Sequence, residues 1–447
     1  MRARLILFFA SFLSFSTSWA GPGTHQAASS VLGQPDFETN DSYTPLTDQT
    51  FKALEAICVD PTTGKVFVCD YGAHRILRFS DTGAYQNFSH AEVVFGQTSF
   101  DGETAASPPT ASSLNGPGGM AVDSLGNLYV ADYGNRRVLI WKNASAVATN
   151  GAPADVVIGQ SDFDKNDDPG TASAHTRFSG PWGLAIDSQD NLYVGDYTHP
   201  RILRFDNAPS LADSMVAAIV DAGASAVFGQ EDFTRFGAGT DPDDGDPDTG
   251  VLSSPWGLWV DRGGHLWVAD YGNTRVLRWN NAPTRPSTLR PDGVLGQPDL
   301  TSTNTTQFGG VYYVTVDWEG TLWASDYGNS RTIGFRNGAS RANGASANDV
   351  LGQTNLTSFN ETHPTNRSLY GAYGLTVAKG GGLLICDYSD NRVLYFSNPT
   401  PAQRASLLRK TKSVKKALAK AKQSKNTAKI KTLKKTLKKL KAQLAAL

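Results

Sequence analysis

The sequence predicts an all-β protein, a six-bladed β-propeller of four-stranded antiparallel blades, closed by an N-terminal strand and followed by a C-terminal α-helical tail. Three observations carry this reading. One segment patterned as strand, turn and strand recurs six times, a V-x-G-Q segment recurs six times between its copies, and the composition changes abruptly near residue 400. Self-similarity along a chain is the mark of a repeat architecture.

Residues 1–20 precede the fold. Arg2 and Arg4 form a positive start, Leu5 to Phe15 is an apolar run, and Ser18-Trp19-Ala20 offers the small residues a signal peptidase reads. The run is too short for a membrane anchor and Gly-Pro follows it, so export to a secreted, periplasmic or cell-surface location is expected. No later stretch is apolar enough to span a bilayer, and the mature chain is not expected to be transmembrane.

The first fourth-strand motif, VLGQ at 31–34, comes before any complete repeat. Its five sisters are VFGQ at 94–97, VIGQ at 157–160, VFGQ at 227–230, VLGQ at 294–297 and VLGQ at 350–353. Between them run AICVDPTTGKVFVCDYGAHRILRF from Ala56, MAVDSLGNLYVADYGNRRVLIW from Met120 and LAIDSQDNLYVGDYTHPRILRF from Leu184. LWVDRGGHLWVADYGNTRVLRW from Leu258, VTVDWEGTLWASDYGNSRTIGF from Val314 and LTVAKGGGLLICDYSDNRVLYF from Leu375 complete the six. Alternating apolar runs bounded by Gly, Asn and Asp are strand and hairpin signals. The chain thus opens on a fourth strand and ends its repeats on a third, so the last blade can borrow residues 31–34 and leave no blade edge unpaired. The domains are 1–20, a signal peptide; 21–400, the propeller; and 401–447, a lysine-rich tail.

These six units resemble the NHL repeat, whose pattern runs G-I-A-V-D, a turn, N-I-Y-V-A-D, then G-N-x-R-I. Tyr stands where the family usually has Thr after the second Asp in all six, and Ala378 replaces the first Asp of the sixth. The resemblance implies the propeller fold. Its lyase relatives imply a histidine-rich metal centre on the axis, and lactonase-type propellers imply an acidic metal pocket. The scattered histidines map onto no such centre, and no unrepeated Glu or Asn is evidently placed for the pocket. Catalytic residues are therefore not assigned.

The repeated polar residues read as scaffold. Asp70, Asp132, Asp196, Asp270, Asp326 and Asp387 are each followed five residues later by Arg75, Arg137, Arg201, Arg275, Arg331 and Arg392. An Asp ending a strand satisfies turn amides, and an Arg across the turn can pair with it. Cys58, Cys69 and Cys386 are too few for a disulfide framework and read as small buried hydrophobes, although Cys58 and Cys69 fall on adjacent strands.

Function is expected where the repeats differ, in the long connections 35–53, 98–115, 161–179, 231–253, 298–309 and 354–370, which share one face. Two are acidic. Asp162, Asp164 and Asp167 alternate in one, and Asp241, Asp243, Asp244, Asp246 and Asp248 crowd the other, both candidates for Ca²⁺ although neither is an EF-hand. Trp182 and Trp256, in matching P-W-G segments, with Tyr312 and Tyr373 in register, are candidate ligand-stacking residues at the channel mouth. A protein or glycan is the expected partner, and the alternative is a metal-dependent hydrolase or lyase acting in the channel.

Charge divides the chain. Residues 401–447 hold 16 of the 41 Lys and Arg and no Asp or Glu, while 21–400 carry a net charge of about −19. Nucleic acid is not expected at so acidic a propeller. In the tail, Ile430, Leu433, Leu437, Leu440, Leu444 and Leu447 form a heptad stripe, whereas Val414, Leu418 and Ala421 run in another phase. One long helix or coiled coil thus competes with a two-helix hairpin broken near Ser424–Thr427. Self-association, contact with an anionic envelope surface and docking on the acidic propeller are the roles such a tail suits.

Overall fold

The structure, a computed structural model, describes residues 24–81, 86–167, 177–212, 218–219, 223–233, 252–288, 290–302, 307–359, 364–398, 401–423 and 427–445. The signal-like segment and the loop bearing Asp241, Asp243, Asp244, Asp246 and Asp248 lie outside them.

Each of the six units folds as one antiparallel blade. Blade 1 comprises Leu54–Val59, Lys65–Asp70, Arg75–Asp81 and Val93–Phe95. Blades 2 to 5 begin with innermost strands Pro117–Val122, Pro181–Ile186, Pro255–Val260 and Val311–Val316. Blade 6 has Ala372–Val377, Leu383–Asp387 and Arg392–Phe396, and its outer strand is Ser30–Leu32. That strand pairs Ser30 with Tyr395, Val31 with Leu394 and Leu32 with Val393, the closure the motif phase predicts. Every innermost strand touches those of both neighbouring blades, and the contacts run from the sixth back to the first. Blade 2 departs from four strands: Ala218–Ile219 adds in parallel to its outer strand, satisfying an otherwise open edge.

The V-x-G-Q motif has two physical reasons. Its glycine turns the chain at φ between +81° and +92° in all six copies, and a Cβ there would strike the apolar residue that opens the next blade, as Gly33 would strike Phe51. Its glutamine donates from Nε2 to carbonyls of the second turn, such as Gln353 to Ser330 O at 3.1 Å. The six Asp–Arg pairs are buried at the same turn, with Nε–Oδ2 distances of 2.7–2.9 Å in five blades; in blade 3 Arg201 approaches Asp196 through Nη2 at 3.5 Å. The three cysteines are buried and free.

The tail is a pair of helices, Pro401–Gln423 and Thr427–Ala445, packed against each other. Among the described tail residues, Thr411 and Leu440 are buried and Val414, Leu418, Ile430, Leu433 and Leu437 half-buried, while every lysine is exposed. The described part of the heptad stripe, Ile430 to Leu440, thus lies on the less exposed side of the second helix. No helix among the described residues is long and apolar enough to cross a membrane.

Candidate functional site: the propeller axis

Every innermost strand starts on the long-connection face and carries one extra residue near its start, between Leu54 and Ile57 in blade 1 and between Pro181 and Leu184 in blade 3. A bulge of this kind re-aims side chains. Here the bulged positions hold unrepeated residues: Glu55, Gly118, Trp182, Trp256, Tyr312 and Tyr373, then Ala56, Gly119, Gly183, Gly257, Tyr313 and Gly374.

The rings meet. Trp182 and Trp256 centroids are 4.6 Å apart, Trp256 and Tyr312 4.8 Å, and Tyr312 and Tyr373 4.4 Å. The six DY-turn tyrosines surround them, with Tyr133 4.7 Å from Trp182, Tyr197 5.4 Å from Trp256 and Tyr388 4.8 Å from Tyr373. Tyr71, Tyr271 and Tyr327 close the circle on Trp182 and Tyr312. This packing explains Tyr in place of Thr: the turn residue fills the axis rather than decorating a loop. It also corrects the picture of four ligand-stacking residues open at the mouth. Trp182 and Tyr312 are buried and only Trp256 and Tyr373 are half-exposed, because stacked rings remove more apolar area from water together than each would alone.

Glu55 sits inside this cluster. Its Oε1 accepts hydrogen bonds from Trp256 Nε1 at 2.8 Å, Trp182 Nε1 at 3.0 Å and the Tyr313 hydroxyl at 3.1 Å. It has no cationic partner among the described residues, and it is 4% exposed. Burial pushes its carboxyl up to about 7, against the opposing pull of the three donors. Glu55 is thus an unrepeated carboxylate on the axis, contrary to the expectation that none stood there. Glu55 immediately precedes the first repeat, which opens at Ala56, and its counterparts in the other blades are Gly, Trp or Tyr.

Tyr313 lies across the axis, and the equivalent residue is Ala or Gly in the other five blades. A Cβ on Gly257 would stand 2.6 Å from the Tyr313 backbone, so the small residues are what admit it.

Beyond Tyr313 the axis opens into a cavity of about 640 Å³ that continues to the opposite face, where the first strand of each blade turns into the second. Its wall includes Ile57, Met120, Leu184, Leu258, Val314 and Leu375, and one pleat further Val59, Val122, Ile186, Val260, Val316 and Val377. At the mouth the first repeat aspartates are tied to their own turns: Asp187 accepts from the Asn191 amide and the Tyr193 hydroxyl, Asp261 from His265 Nδ1 at 2.9 Å and Trp267 Nε1 at 2.8 Å. Arg262 lies 5.1 Å over the exposed Trp318 ring, and Lys379 donates to Thr62 O at 2.6 Å.

The Asp–Arg pairs tie the DY turns to the long connections, as Arg75 Nη2 donates to Thr50 O at 2.7 Å and Arg392 Nη2 to Ser368 O at 3.1 Å. Asp162, Asp164 and Asp167 do not converge: Asp162 accepts from the Phe163 amide, Asp164 faces Lys165, and the Asp167 main chain exchanges two hydrogen bonds with the Gln160 side-chain amide. Among the described residues no three His, Cys, Asp or Glu side chains gather as a metal-ion site.

Glu55 gives a pH prediction. Its ordinary carboxyl value of 4.5 is raised to about 7 on folding, so the unfolded chain ionises first and stability falls as pH rises between these values. The full effect is about 3 kcal/mol, present above pH 7 and absent below about pH 4. Glu55→Gln should therefore gain several degrees in Tm relative to the parent between pH 4 and pH 8, by scanning calorimetry. A difference in Tm that stays constant with pH would contradict it.

The NHL repeat family model matches residues 114–141, 178–205 and 252–279, within blades 2, 3 and 4. No curated protein matches the sequence. Among solved structures, the chain is similar to a Bacteroides thetaiotaomicron VPI-5482 protein of unknown function at 14% identity, over 83% of this chain and 74% of that one, with a TM-score of 0.49. It is similar to a streptogramin B lyase at 12% identity, over 81% and 97% of the chains, with a TM-score of 0.40. To virginiamycin B lyase from Staphylococcus aureus the identity is 12% over 78% and 95%, with a TM-score of 0.41. Such values carry nothing about activity. The chain is thus a six-bladed β-propeller whose blades 2, 3 and 4 match the NHL repeat.

Proposed function

We propose that this chain is an exported binding module whose ligand inserts an apolar group into the axial chamber. The observation that carries the reading is the chamber itself: about 640 Å³, walled by two levels of aliphatic side chains, closed at one end by the Glu55–Tyr313 cluster and open at the other. Volumes of this size, lined by hydrocarbon with a few polar groups at one end, suit small ligands and inserted side chains. Export is supported by Arg2, Arg4, the apolar run Leu5 to Phe15 and Ser18-Trp19-Ala20. The basic hairpin, whose described lysines are all exposed, suits attachment to an anionic envelope surface by charge rather than by insertion.

A second reading has its own observation. Trp256, Tyr373 and the six DY tyrosines are half-exposed around the axis on the long-connection face, an aromatic platform on which a glycan or protein could stack.

The chamber is tested with N-phenyl-1-naphthylamine, a neutral apolar dye, on the mature chain. Saturable fluorescence enhancement is expected, weakened about tenfold or more when Val122→Phe and Val316→Phe together narrow the chamber. Far-UV circular dichroism and Tm check that the ring persists. Dye binding that the narrowing leaves unchanged would place the site elsewhere.

A further inference from the structure

We propose that the group taken into the axial chamber is a primary alkylammonium, a lysine-like chain whose hydrocarbon lies along the aliphatic wall and whose nitrogen sits against Tyr313 at the closed end, drawn by the Glu55 carboxylate behind it. The inference rests on the chamber reading above and adds the charge of the ligand.

Three observations converge on a cation. Glu55 is a buried carboxylate whose three hydrogen bonds all come from neutral donors, Trp182, Trp256 and Tyr313, and all go to Oε1. Its Oε2 accepts none among the described residues. A carboxylate buried without a counter-charge is costly, so an arriving ammonium supplies what the fold leaves out. Second, Tyr313 joins the two regions, since its ring lines the chamber and its hydroxyl reaches Glu55. Third, the approach favours positive charge. The propeller carries a net charge of about −19, and Asp187, Asp190, Asp261 and Asp317 line the mouth, against Arg262 and Lys379. A field of that sign concentrates cations at the opening. Tyr313 ends the path, and the Glu55 carboxylate lies directly behind its hydroxyl rather than in the chamber wall.

The groups that face Glu55 from the surrounding blades are Cys69, Cys386, Tyr71, Tyr313, Tyr373 and Tyr388. Burial raises all six above their ordinary values, so each stays neutral through the working range and none competes with a ligand for the carboxylate. An ammonium beside Glu55 favours its ionised form. Ammonium recognition is therefore strongest above about pH 7, where the free protein is already ionised, and weakens as the carboxyl takes up its proton.

The experiment compares n-octylammonium with n-octanol as competitors for N-phenyl-1-naphthylamine on the mature chain. The two share a hydrocarbon and differ in the head. At pH 8 the ammonium should bind about tenfold more tightly, drawn by the buried carboxylate across the Tyr313 hydroxyl. The ratio should shrink toward one at pH 5, and in Glu55→Gln it should be close to one at both pH values. Octanol competing as well as octylammonium at pH 8 would overturn the ammonium assignment while leaving the chamber standing. Neither ligand competing would overturn the chamber reading itself. A preference that survives at pH 5 or in Glu55→Gln would remove Glu55 from the site, and the pH series needs no variant that could fail to fold.

Discussion

A mature chain lacking residues 21–36 should lose the cooperative unfolding of the whole ring, with a large fall in Tm. The deleted segment contains Ser30–Leu32, the outer strand of blade 6, with Val31 and Leu32 buried. Burying two such side chains contributes about 3–6 kcal/mol. The segment adds main-chain and side-chain ties across the whole sequence: the Ser29 amide donates to Tyr395 O at 2.7 Å, and Gln34 Nε2 donates to Asp390 O at 3.2 Å. Folded domains are stable by only about 5–15 kcal/mol, so this loss is a large share of the total. Removing the strand also bares Arg392–Phe396 as an open edge, and open edges pair with other chains. Calorimetry on parent and deletion, with sedimentation velocity to detect association, checks both effects. An unchanged Tm and a monodisperse monomer would refute the closure.

The second large effect is expected at a blade turn. Asp132→Ala should cost about 3–5 kcal/mol, because it strands the fully buried Arg137 without a counter-charge. Asp132 Oδ2 receives Arg137 Nε at 2.7 Å and Asn135 Nδ2 at 2.8 Å, and Oδ1 receives the Asn115 amide at 2.7 Å. Arg137 in turn donates to Thr110 O and Ser113 O, both at 2.9 Å, and to Phe163 O. One pair therefore fastens two long connections to one turn. The double variant Asp132→Leu with Arg137→Met should cost less than the single change, since it removes both charges together. Lys52→Ala, which breaks a pair half exposed on both sides with Glu103, should cost far less, since water screens such a pair. Urea unfolding midpoints rank the three. A single variant no worse than the double, or no worse than the surface change, would mean that the pair is not what holds the turn.

The strand-level content of the fold is local and was legible. Alternation of apolar residues, Asp-Gly turns and the paired Asp and Arg five apart specify each blade, because side-chain period and turn conformation depend on near neighbours. Even the ring closure could be read, since it depends on the phase of two repeated motifs along the chain. The tail's hairpin was one of two alternatives; which one forms depends on whether the two apolar phases, through Val414 and Leu418 and through Ile430 and Leu433, face each other across the break.

The axis was not legible in the same way. Glu55 is one acidic residue among 42, and Trp182, Trp256 and Tyr313 lie 127, 201 and 258 residues from it. Nothing in local pattern joins them, because the ring places the same bulge of six different blades at one point in space. Sequence by itself determined the blade, its sixfold count, its closure and the division between an acidic propeller and a basic tail. Only the tertiary structure decided that the unrepeated residues at the bulge fill the axis, close one end of it around a carboxylate and leave a hydrocarbon chamber at the other. The physical reason is that a site on a symmetry axis is made by the residues that break the repeat, and those come together only when the repeat has closed.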